Sequence, residues 1–467
     1  MSDTLRRLPD LRRATSDEDV FGDGAADAYT IAVRAFVWGF PLVQMARIRL
    51  YGTRPDNPFA QRPPTSTGAP LNRWGHQSQP ADPTFRAGVG PSVDLLYSSL
   101  RLDLASGPFV LEFPDCGPDY YTVQIAFADS SAEHSLGRRT HGSQVPNLFI
   151  RGPGSEARAP AGAIDVASPT RYCLLPARFL FDLDKPGDLA RVHRLQAHLR
   201  VRTLSDFVGG RDRLPVVPPQ RPLAPRHDAL PHGFDYLREL GSVLQDWIVQ
   251  PRDRELLKQF SRIGLSTTSG FQPERMTPAE WTAVERGLGD GAEIVRRKSL
   301  SLGTQHNGWT INYLGPRFGE DRLLRAGVAK DQIVVTVPEE ALYPLCRQDV
   351  DGAPLNGSNS YSLRFSADYL PPAEAFWSVT LYGDDGFLVA NPIDRYSISD
   401  RTGGLVRGRD GSIDLTISRL PPRDQSTNWL PAAPAAFYLM LRLYIPRASA
   451  LNGDWLPPPV RRLPTQV

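Results

Sequence analysis

The sequence of 467 residues is poor in cysteine and lysine, and it has no long apolar run. Its three cysteines, Cys116, Cys173 and Cys346, lie far apart, and no CxxC pair occurs. This pattern argues against a disulfide framework and against a cysteine-built zinc site. The N-terminus lacks the apolar stretch of about 7–15 residues typical of a secretory signal. No run of about 18 apolar residues occurs either, so we expect a cytoplasmic protein without a membrane-spanning segment.

The charge of the chain is almost balanced. There are 53 basic and 51 acidic residues, which gives a formal net charge of +2. Only four of the basic residues are lysines, and the others are arginines. A sequence pI of about 8.4 gives no indication of the basic surface that nucleic-acid binding needs. We therefore expect no nucleic-acid partner.

Common catalytic and cofactor motifs are also missing. Eight histidines are present, but none has HxH or HExxH spacing, so no metal site is predicted. There is no GxSxG nucleophile elbow and no Walker lysine. The glycines of Gly287–Gly291 do not complete a GxGxxG pattern after a strand, and we expect them to weaken or end a helix. The sequence therefore predicts no cofactor.

The chain is instead rich in proline and glycine, with 44 and 39 residues, which favours many short segments with frequent turns. Period-two alternation is clearest over Tyr121–Phe127 and Phe437–Ile445. The predicted fold class is mainly β with α: two antiparallel β-sandwich or jelly-roll-like domains joined by a helical segment.

The C-terminal strand has two different faces. Phe437, Leu439, Leu441, Leu443 and Ile445 form an apolar face that needs a core. The opposite face carries Tyr438, Met440, Arg442 and Tyr444. It suits a cavity wall or a subunit interface, and the alternative is an amphipathic outer surface.

Helical spacing occurs in two parts of the chain. A helix is predicted over Ala25–Phe40, ending before Pro41. Further helices are predicted over Phe234–Ile248 and Arg252–Ile263. A capping box from Thr277 to Glu280 predicts another helix that begins at Pro278. The predicted organisation is a mobile tail (1–24), an N-terminal helix and β-sandwich domain (25–213), a Pro-rich linker with a helical segment (214–332) and a C-terminal β-sandwich domain (333–467).

Polar residues beside aromatic residues at strand ends are the candidates for catalysis. An aspartate near tyrosine hydroxyls can act as a general base, with the phenols stabilising an oxyanion. The alternative is that these residues hydrogen-bond turns and strand ends. The candidates are Asp94, Tyr97, Tyr120 and Asp129.

Candidate substrate-binding residues lie in loops held by proline and glycine. Arg395 can clamp a substrate carboxylate, or it can pair with Asp394 or Asp400 to fix its loop. A lone histidine beside a turn, such as His306, is more often structural. The full candidate set is His306, Asn307, Trp309, Trp377, Asn391, Arg395, Tyr396, Asn428 and Trp429.

Several long motifs resemble known bacterial domains. The segments LPPAEAFWSVTLYGDDGFLVANPIDRYSI, NWLPAAP and LRLYIPRASALNGDWLPPPV resemble a domain of unknown function numbered 1214. The segments VGPSVDLLYSSLRLDLASGPFVLEFPD and DYYTVQIAFAD are similar to a domain of unknown function numbered 1254. Together the resemblance covers most of residues 30–460.

The resemblance implies two antiparallel β-sandwich or jelly-roll domains with helices beside them, and a homo-oligomer. It brings no agreed activity, cofactor or catalytic residues. Many relatives look secreted, in contrast to the cytoplasmic location expected here. This chain departs from the family pattern at Ser92, where relatives have Asn, at Leu95, where they have Thr, and at Arg101, which is often Trp. The family is also typically richer in Asp, Tyr and Asn over the tract that corresponds to Ile125–Ser131; if this tract lines a pocket, the pocket is altered in this chain.

Three functions are compatible with the sequence. The first is a small-molecule enzyme with cofactor-independent acid–base chemistry, of hydrolase, lyase or isomerase type. The second is a non-catalytic ligand-binding or assembly protein built from paired β-sandwiches. The third, a metal-dependent jelly-roll enzyme, is disfavoured by the histidine spacing. The first is preferred because polar and aromatic residues concentrate in loops at strand ends.

Overall fold

The computed structural model describes residues 11–22, 26–53, 63–86, 88–132, 134–224, 233–422 and 428–464. Over these ranges the protein has mixed α and β structure with mostly antiparallel sheets, at roughly 29% helix and 25% strand. No closed barrel is present in the described ranges. Helices therefore contribute more to the fold than the expectation of a mainly β protein allowed.

The described residues form ten α-helices. They are α1 (Asp17–Phe21), α2 (Ala28–Thr53), α3 (Arg138–His141), α4 (Asp188–Ala197), α5 (Leu204–Val208), α6 (Phe234–Leu244), α7 (Arg254–Phe260), α8 (Pro278–Leu300), α9 (Arg322–Asp331) and α10 (Ala448–Leu451). The long helices α2, α6, α8 and α9 pack together and bury their apolar faces in shared cores.

The N-terminal half contains two sheets on one core. Their strands are β1 (Trp74–His76), β2 (Leu95–Asp103), β3 (Phe109–Glu112), β4 (Tyr121–Phe127), β5 (His134–Gly137), β6 (Leu148–Arg151), β7 (Ile164–Ala167), β8 (Tyr172–Leu180) and β9 (Arg200–Thr203). One sheet has the order β1-β2-β8-β4-β5 and the other β7-β6-β3-β9. Apolar side chains from both sheets form a single buried cluster, so this part of the chain is a β-sandwich.

The C-terminal half repeats this arrangement. A short hairpin, β10 (Leu265–Ser266) and β11 (Gly270–Phe271), precedes it. Its strands are β12 (Thr304–His306), β13 (Trp309–Ile311), β14 (Ala341–Leu342), β15 (Leu345–Cys346), β16 (Tyr361–Phe365), β17 (Ala373–Gly383), β18 (Ser397–Ser399), β19 (Ile413–Ser418), β20 (Asn428–Pro431), β21 (Phe437–Pro446) and β22 (Arg461–Arg462). The larger sheet has the strand order β12-β13-β15-β21-β17-β18, and β14 also pairs with β21. The smaller sheet has the order β20-β19-β16-β22. Both enclose one core.

Each sandwich contains one parallel strand pair, which differs from the purely antiparallel prediction. Strand β6 pairs with β7, and β19 pairs with β20, in parallel register. In both cases a long connection, rather than a tight hairpin turn, separates the two strands. A chain segment of that length can cross over and return in the same direction.

The first long helix does not end before Pro41, as predicted, but continues to Thr53. Pro41 cannot donate the usual hydrogen bond to a carbonyl one turn earlier. The helix continues because residues on both sides of Pro41, including Trp38 and Leu42, are buried in the helical core. Tertiary packing therefore outweighs the single lost hydrogen bond.

Helix α2 is also the one described helix that is long and apolar enough to cross a membrane. An 18-residue stretch within it has a mean hydropathy of 1.3, although no continuous apolar run is present. Of that stretch, 72% is buried inside the protein. Its packing partners are helices of the same chain, which is the environment of a core helix.

The glycines of α8 do not interrupt it, which corrects the prediction from sequence. The helix is continuous from Pro278 to Leu300. Gly287 and Gly291 face α2, where an added Cβ would lie 2.5 Å from the carbonyl oxygen of Tyr29 and 2.8 Å from the Cβ of Phe36 respectively. Close approach of two helices, rather than helix termination, explains these glycines.

Other predicted elements are confirmed. Strand β4 has the predicted bounds, and α8 begins at Pro278 with the capping box formed between Thr277 and Glu280. In the predicted tail, residues 11–22 are packed: α1 has a capping box, and Leu11 and Val20 are buried. The remaining tail residues, 1–10 and 23–24, lie outside the described ranges, as do residues 225–232 of the predicted linker.

Candidate functional site

The two sandwiches meet through the outer faces of their larger sheets. Along β2, Leu96, Leu100 and Leu102 point into the N-terminal core. The period of two therefore places Tyr97, Ser99 and Arg101 on the opposite face. All three line a cavity of about 220 Å³ between the sandwiches.

Strand β21 supplies the facing wall. Leu439, Leu441 and Leu443 lie in the C-terminal core, whereas Met440, Arg442 and Tyr444 line the cavity. Three of the four residues on this face therefore form a cavity wall, which is one of the two roles predicted for it. The alternative of an outer surface is wrong, because the four residues of this face are buried.

Three further segments contribute to the cavity wall. They are residues 88–91 before β2, Ile48 on α2 and residues 331–335 after α9. A second cavity, beside α2, β8 and α6, measures only about 40 Å³. Arg101 lines both cavities. Of these two cavities, the one between the sandwiches is the larger.

Arg178 on β8 is the first of three buried arginines in the cavity wall. Its Nη1 and Nη2 atoms both donate to Oε1 of Gln124, at 3.1 Å. Gln124 is itself fixed, because its amide nitrogen donates to the carbonyl of Val335 at 2.7 Å. The guanidinium is therefore held in one orientation by a neutral partner.

Arg442 faces Arg178 from the other sheet. Its Nη1 donates to Thr380 Oγ1 at 2.9 Å, and its Nη2 donates to the Gly90 carbonyl at 2.8 Å and the Tyr382 hydroxyl at 2.6 Å. Its exposed fraction is 2%. All its described partners are again neutral.

Arg101 has the fewest partners of the three. Its Nη1 donates to the Thr67 carbonyl at 3.2 Å, and its buried Nε has no hydrogen-bond partner among the described residues. Burial lowers the pKa of Arg101 to about 10. The side chain therefore stays protonated at neutral pH.

Buried tyrosines surround these arginines. Burial raises the pKa of Tyr343, and it raises the pKa of Tyr444 well above its ordinary value. Both phenols therefore remain neutral at physiological pH and can act as hydrogen-bond donors. The Tyr444 ring stacks on Phe376 with 4.3 Å between ring centroids, which fixes its position.

The backbone after α9 is strained where it lines the cavity. Val334 adopts a φ of 56°, a left-handed conformation that is costly for a β-branched residue. Its side chain packs with Met45, Ala126 and Ala132. Such strain persists only where the surrounding packing imposes it, and it is concentrated at functional sites.

Asp331 is the only carboxylate among the described residues that line the cavity. It pairs with Arg347, with 3.1 Å between Oδ2 and Nη2. Burial nevertheless raises its pKa above the ordinary value, and Arg347 and Lys330 oppose this shift only in part.

We expect Asp331→Asn to stabilise the protein at neutral pH. Because the pKa of Asp331 is higher in the folded than in the unfolded state, ionisation of Asp331 lowers the free energy of unfolding. This loss is absent at a pH below the unfolded-state pKa and complete at a pH above the folded-state pKa. In urea unfolding, the free energy of unfolding of Asp331→Asn should therefore exceed that of the wild type at pH 7.5, and the difference should be smaller at pH 4.

Asp188→Asn is the matched control with the opposite sign. Burial opposes ionisation of Asp188, but its hydrogen bonds to Arg191 and to the Asp182 amide outweigh burial and lower its pKa. Asp188→Asn should therefore have a lower free energy of unfolding than the wild type at pH 7.5. The difference should become smaller as the pH falls through the folded-state pKa of Asp188. The same sign for both variants would contradict the argument.

The four predicted catalytic residues do not share one cavity. Tyr97 lines the cavity between the sandwiches. Tyr120 lies in the same aromatic cluster, but its hydroxyl donates to Glu340 at 2.7 Å. Asp94 lies 3.6 Å from Arg401, and Asp129 pairs with Arg325 at 3.3 Å while accepting hydrogen bonds from Ser131. Catalytic roles for these residues stay predictions.

The nine predicted substrate-binding residues lie within the C-terminal sandwich and its loops, and none lines the cavity between the sandwiches. Trp309 and Trp377 belong to the core. The side chain of Asn391 bonds to backbone groups of its own loop. Arg395 donates to the Trp429 carbonyl rather than pairing with Asp394 or Asp400.

The other predicted binding residues also have local partners. The side chain of Asn307 donates to the Pro457 carbonyl, and that of Trp429 donates to the Ser418 carbonyl. Tyr396 donates to Asp394, and Asn428 donates to the carbonyls of Val406 and Asp414. His306 pairs with Trp309 in the β12–β13 hairpin. These contacts fix turns and strand ends. A binding role for them stays a prediction.

The cavity residues missed from sequence are Arg178, Tyr343 and Asp331. Arg178 had a readable signal, because it is a charged residue on the outward-facing side of a strand flanked by apolar residues. No local pattern connects it to Arg442, which lies 264 positions later in the chain. Among the described residues, no group of three histidine, cysteine or acidic side chains has the geometry of a metal site.

Comparison with known proteins gives the family and the fold. Residues 71–203 match the model of a protein of unknown function, DUF1254, and residues 340–448 match that of a protein of unknown function, DUF1214. No curated protein matches the chain.

Two solved structures are similar. One is the VPA0106 protein from Vibrio parahaemolyticus, at 22% identity and a TM-score of 0.66, covering 94% of this chain and 100% of that chain. The other is an uncharacterised protein from Burkholderia cenocepacia, at 13% identity and a TM-score of 0.42, covering 97% and 93%. The first likeness shows the fold alone, and the second supports no conclusion. By the two domain matches in this order, the chain belongs to the two-domain family in which DUF1254 precedes DUF1214.

Proposed function

We propose that the protein binds a small organic molecule in the cavity between its two sandwiches. The observation that carries this proposal is the cavity itself, whose walls come from both sandwiches and from the helical segment. Concave sites with apolar walls and a few fixed polar groups are the usual form of small-molecule sites.

The rigidity of the walls supports the proposal. Tyr97, Ser99 and Arg101 project from a central strand of one sheet, and Met440, Arg442 and Tyr444 project from a central strand of the other. Side chains on paired strands lose little further freedom when a ligand binds, so a site built from them is preorganised.

Acid–base catalysis in the same cavity is a second candidate function, favoured by Asp331. A carboxylate whose pKa is raised by burial is a candidate proton donor or acceptor. The neutral hydroxyls of Tyr343 and Tyr444 can stabilise negative charge on a substrate. This chemistry would keep the predicted reaction class, with Asp331 in place of the aspartates chosen from sequence.

The proposal is tested by filling the cavity. Ser99→Phe places an aromatic ring into it from β2, and Ser205→Phe places the same ring on an exposed position of α5 as the matched control. A panel of neutral and anionic aromatic fragments is screened by ligand-observed NMR. We expect fragments to bind the wild type and Ser205→Phe, and to lose binding to Ser99→Phe.

Two outcomes would overturn the proposal. One is that Ser99→Phe, folded by near-UV circular dichroism, binds the same fragments as the wild type. The other is that no fragment binds the wild type. The jelly-roll topology, the homo-oligomer and the cytoplasmic location stay predictions from the sequence.

A further inference from the structure

The charge of the cavity wall identifies the class of ligand. Resting on the proposed function, we infer that the occupant is an organic anion whose carboxylate or phosphate group lies among Arg101, Arg178 and Arg442. The three arginines come from β2, β8 and β21, and all line the cavity. They belong to two sheets, and packing of the two sandwiches places all three around one cavity.

None of these arginines forms an ion pair within the described part of the chain. Their hydrogen-bond acceptors there are amide, carbonyl and hydroxyl oxygens. Their exposed fractions are 8% for Arg101, 8% for Arg178 and 2% for Arg442. Buried cations are ordinarily paired with a carboxylate, because burial of an unpaired charge is costly.

Unused donors remain on each guanidinium. A guanidinium carries five N–H groups. Arg178 uses two of them on Gln124, and Arg101 uses one on the Thr67 carbonyl. The buried Nε of Arg101 has no acceptor among the described residues. An oxyanion would supply several acceptors at once, and arginine binds carboxylate and phosphate in a bidentate manner.

Arg178 and Arg442 act on the same part of the cavity. Both interact electrostatically with Tyr97 and with Tyr444. Neutral phenols at this position add donors for an anion without adding charge. A single acidic group can therefore lie within reach of both sheets.

The carboxylate of Asp331 does not neutralise these arginines. It is paired with Arg347, which also stacks on the Tyr438 ring at 4.3 Å from its centroid. Several other cavity residues form an apolar part of the wall, among them Ile333, Val334 and Met440. The ligand that fits is an anion with an apolar body.

The test compares matched ligands by isothermal titration calorimetry in a chloride-free buffer. Benzoate and phenyl phosphate are the anions, and benzamide is the neutral isostere of benzoate. For the wild type we expect at least one anion to bind about tenfold or more tightly than benzamide. The comparison between benzoate and phenyl phosphate shows which acid group the site prefers.

Arg178→Met should remove this preference while benzamide still binds. Arg364→Met, an exposed arginine paired with Asp410 and Asp414, is the matched control and should keep it. Arg101→Met is the second variant. This substitution removes one hydrogen bond, to the Thr67 carbonyl at 3.2 Å, so the melting temperature should equal or exceed that of the wild type. The preference for anions over benzamide should fall.

The outcomes separate the two proposals. If benzamide and the anions bind equally well and Ser99→Phe abolishes both, the cavity binds ligands but the inference of an anion is wrong. If Ser99→Phe changes nothing, the proposed function is wrong. If Arg178→Met and Arg101→Met both keep the full anion preference, the assignment of these arginines is wrong.

Discussion

Glu340→Ala is expected to lower the free energy of unfolding by about 3–5 kcal/mol, the usual cost of breaking a buried ion pair by removing one partner. Glu340 is fully buried and precedes β14 of the C-terminal sandwich. It accepts hydrogen bonds from two residues of the N-terminal sandwich, Tyr120 at 2.7 Å and Arg139 at 2.9 Å. The substitution leaves a cation and a phenol without their acceptor at the contact between the sandwiches.

The measurement is urea unfolding of the full chain at neutral pH, with the adjacent Glu339→Ala as matched control. Glu339 is 41% exposed and pairs with Arg317, so its removal should cost about 1 kcal/mol or less. Glu340→Gln should be intermediate, because an amide oxygen still accepts a hydrogen bond but carries no charge. Equal effects of Glu340→Ala and Glu339→Ala would contradict the role of Glu340 between the sandwiches.

Gly287→Ala is expected to destabilise the protein by about 1–3 kcal/mol, as overpacking does in a core. A Cβ at this position would lie 2.5 Å from the Tyr29 carbonyl oxygen and 2.9 Å from the Ala32 Cβ. The backbone of α2 cannot move aside as a flexible side chain can. Helices α2 and α8 would have to separate.

The control is Gly289→Ala in the same helix, two residues away. Nothing lies within 4 Å of a Cβ built there, and the position is exposed. Alanine favours a helix over glycine by about 0.5–1 kcal/mol, so this variant should gain stability. Opposite signs for the two variants, measured by thermal unfolding, are the expected result. A gain of stability in both Gly287→Ala and Gly289→Ala would show that α2 and α8 leave room for a Cβ at position 287.

The glycines of α8 illustrate why the local sequence misled. By helix propensity, Gly287, Gly289 and Gly291 are equally unfavourable, so propensity predicts that the middle of α8 is unstable as a helix. Two of the three lie against another helix, and the third faces outward. The partner helix α2 lies about 250 positions earlier in the chain, so no local pattern distinguishes the three glycines. Pro41 was misjudged for the same reason, because burial on both sides of it is a tertiary property.

The predicted binding residues illustrate a comparable ambiguity of the local sequence. Asn391, Asn428 and Trp429 lie in loops whose composition suggested binding, but their side chains fix those loops by hydrogen bonds. Turn-forming residues and ligand-binding residues are the same residue types, so composition cannot distinguish the two uses. The arginines of the cavity, Arg101, Arg178 and Arg442, lie instead on strands.

The sequence by itself determined the alternation of faces. Period two over Tyr121–Phe127 and Phe437–Leu443 specifies which side chains enter a core, because successive residues of a strand point to opposite sides. Ile445 departs from this alternation, since its φ is 51° and it packs beside Tyr444. The capping box at Thr277 determined where α8 begins, because its hydrogen bonds are local. For the face of Arg442 and Tyr444 the sequence left three possibilities open: a cavity wall, a subunit interface or an outer surface.

Only the tertiary structure decided what that face meets. Arg101, Arg178 and Arg442 are distant in sequence, and each alone resembles a surface residue on a strand. Packing of the two larger sheets brings their outer faces together and removes the arginines from water without a carboxylate partner among the described residues. That deficit of negative charge depends on which surfaces pack, and sequence periodicity carries no information about it.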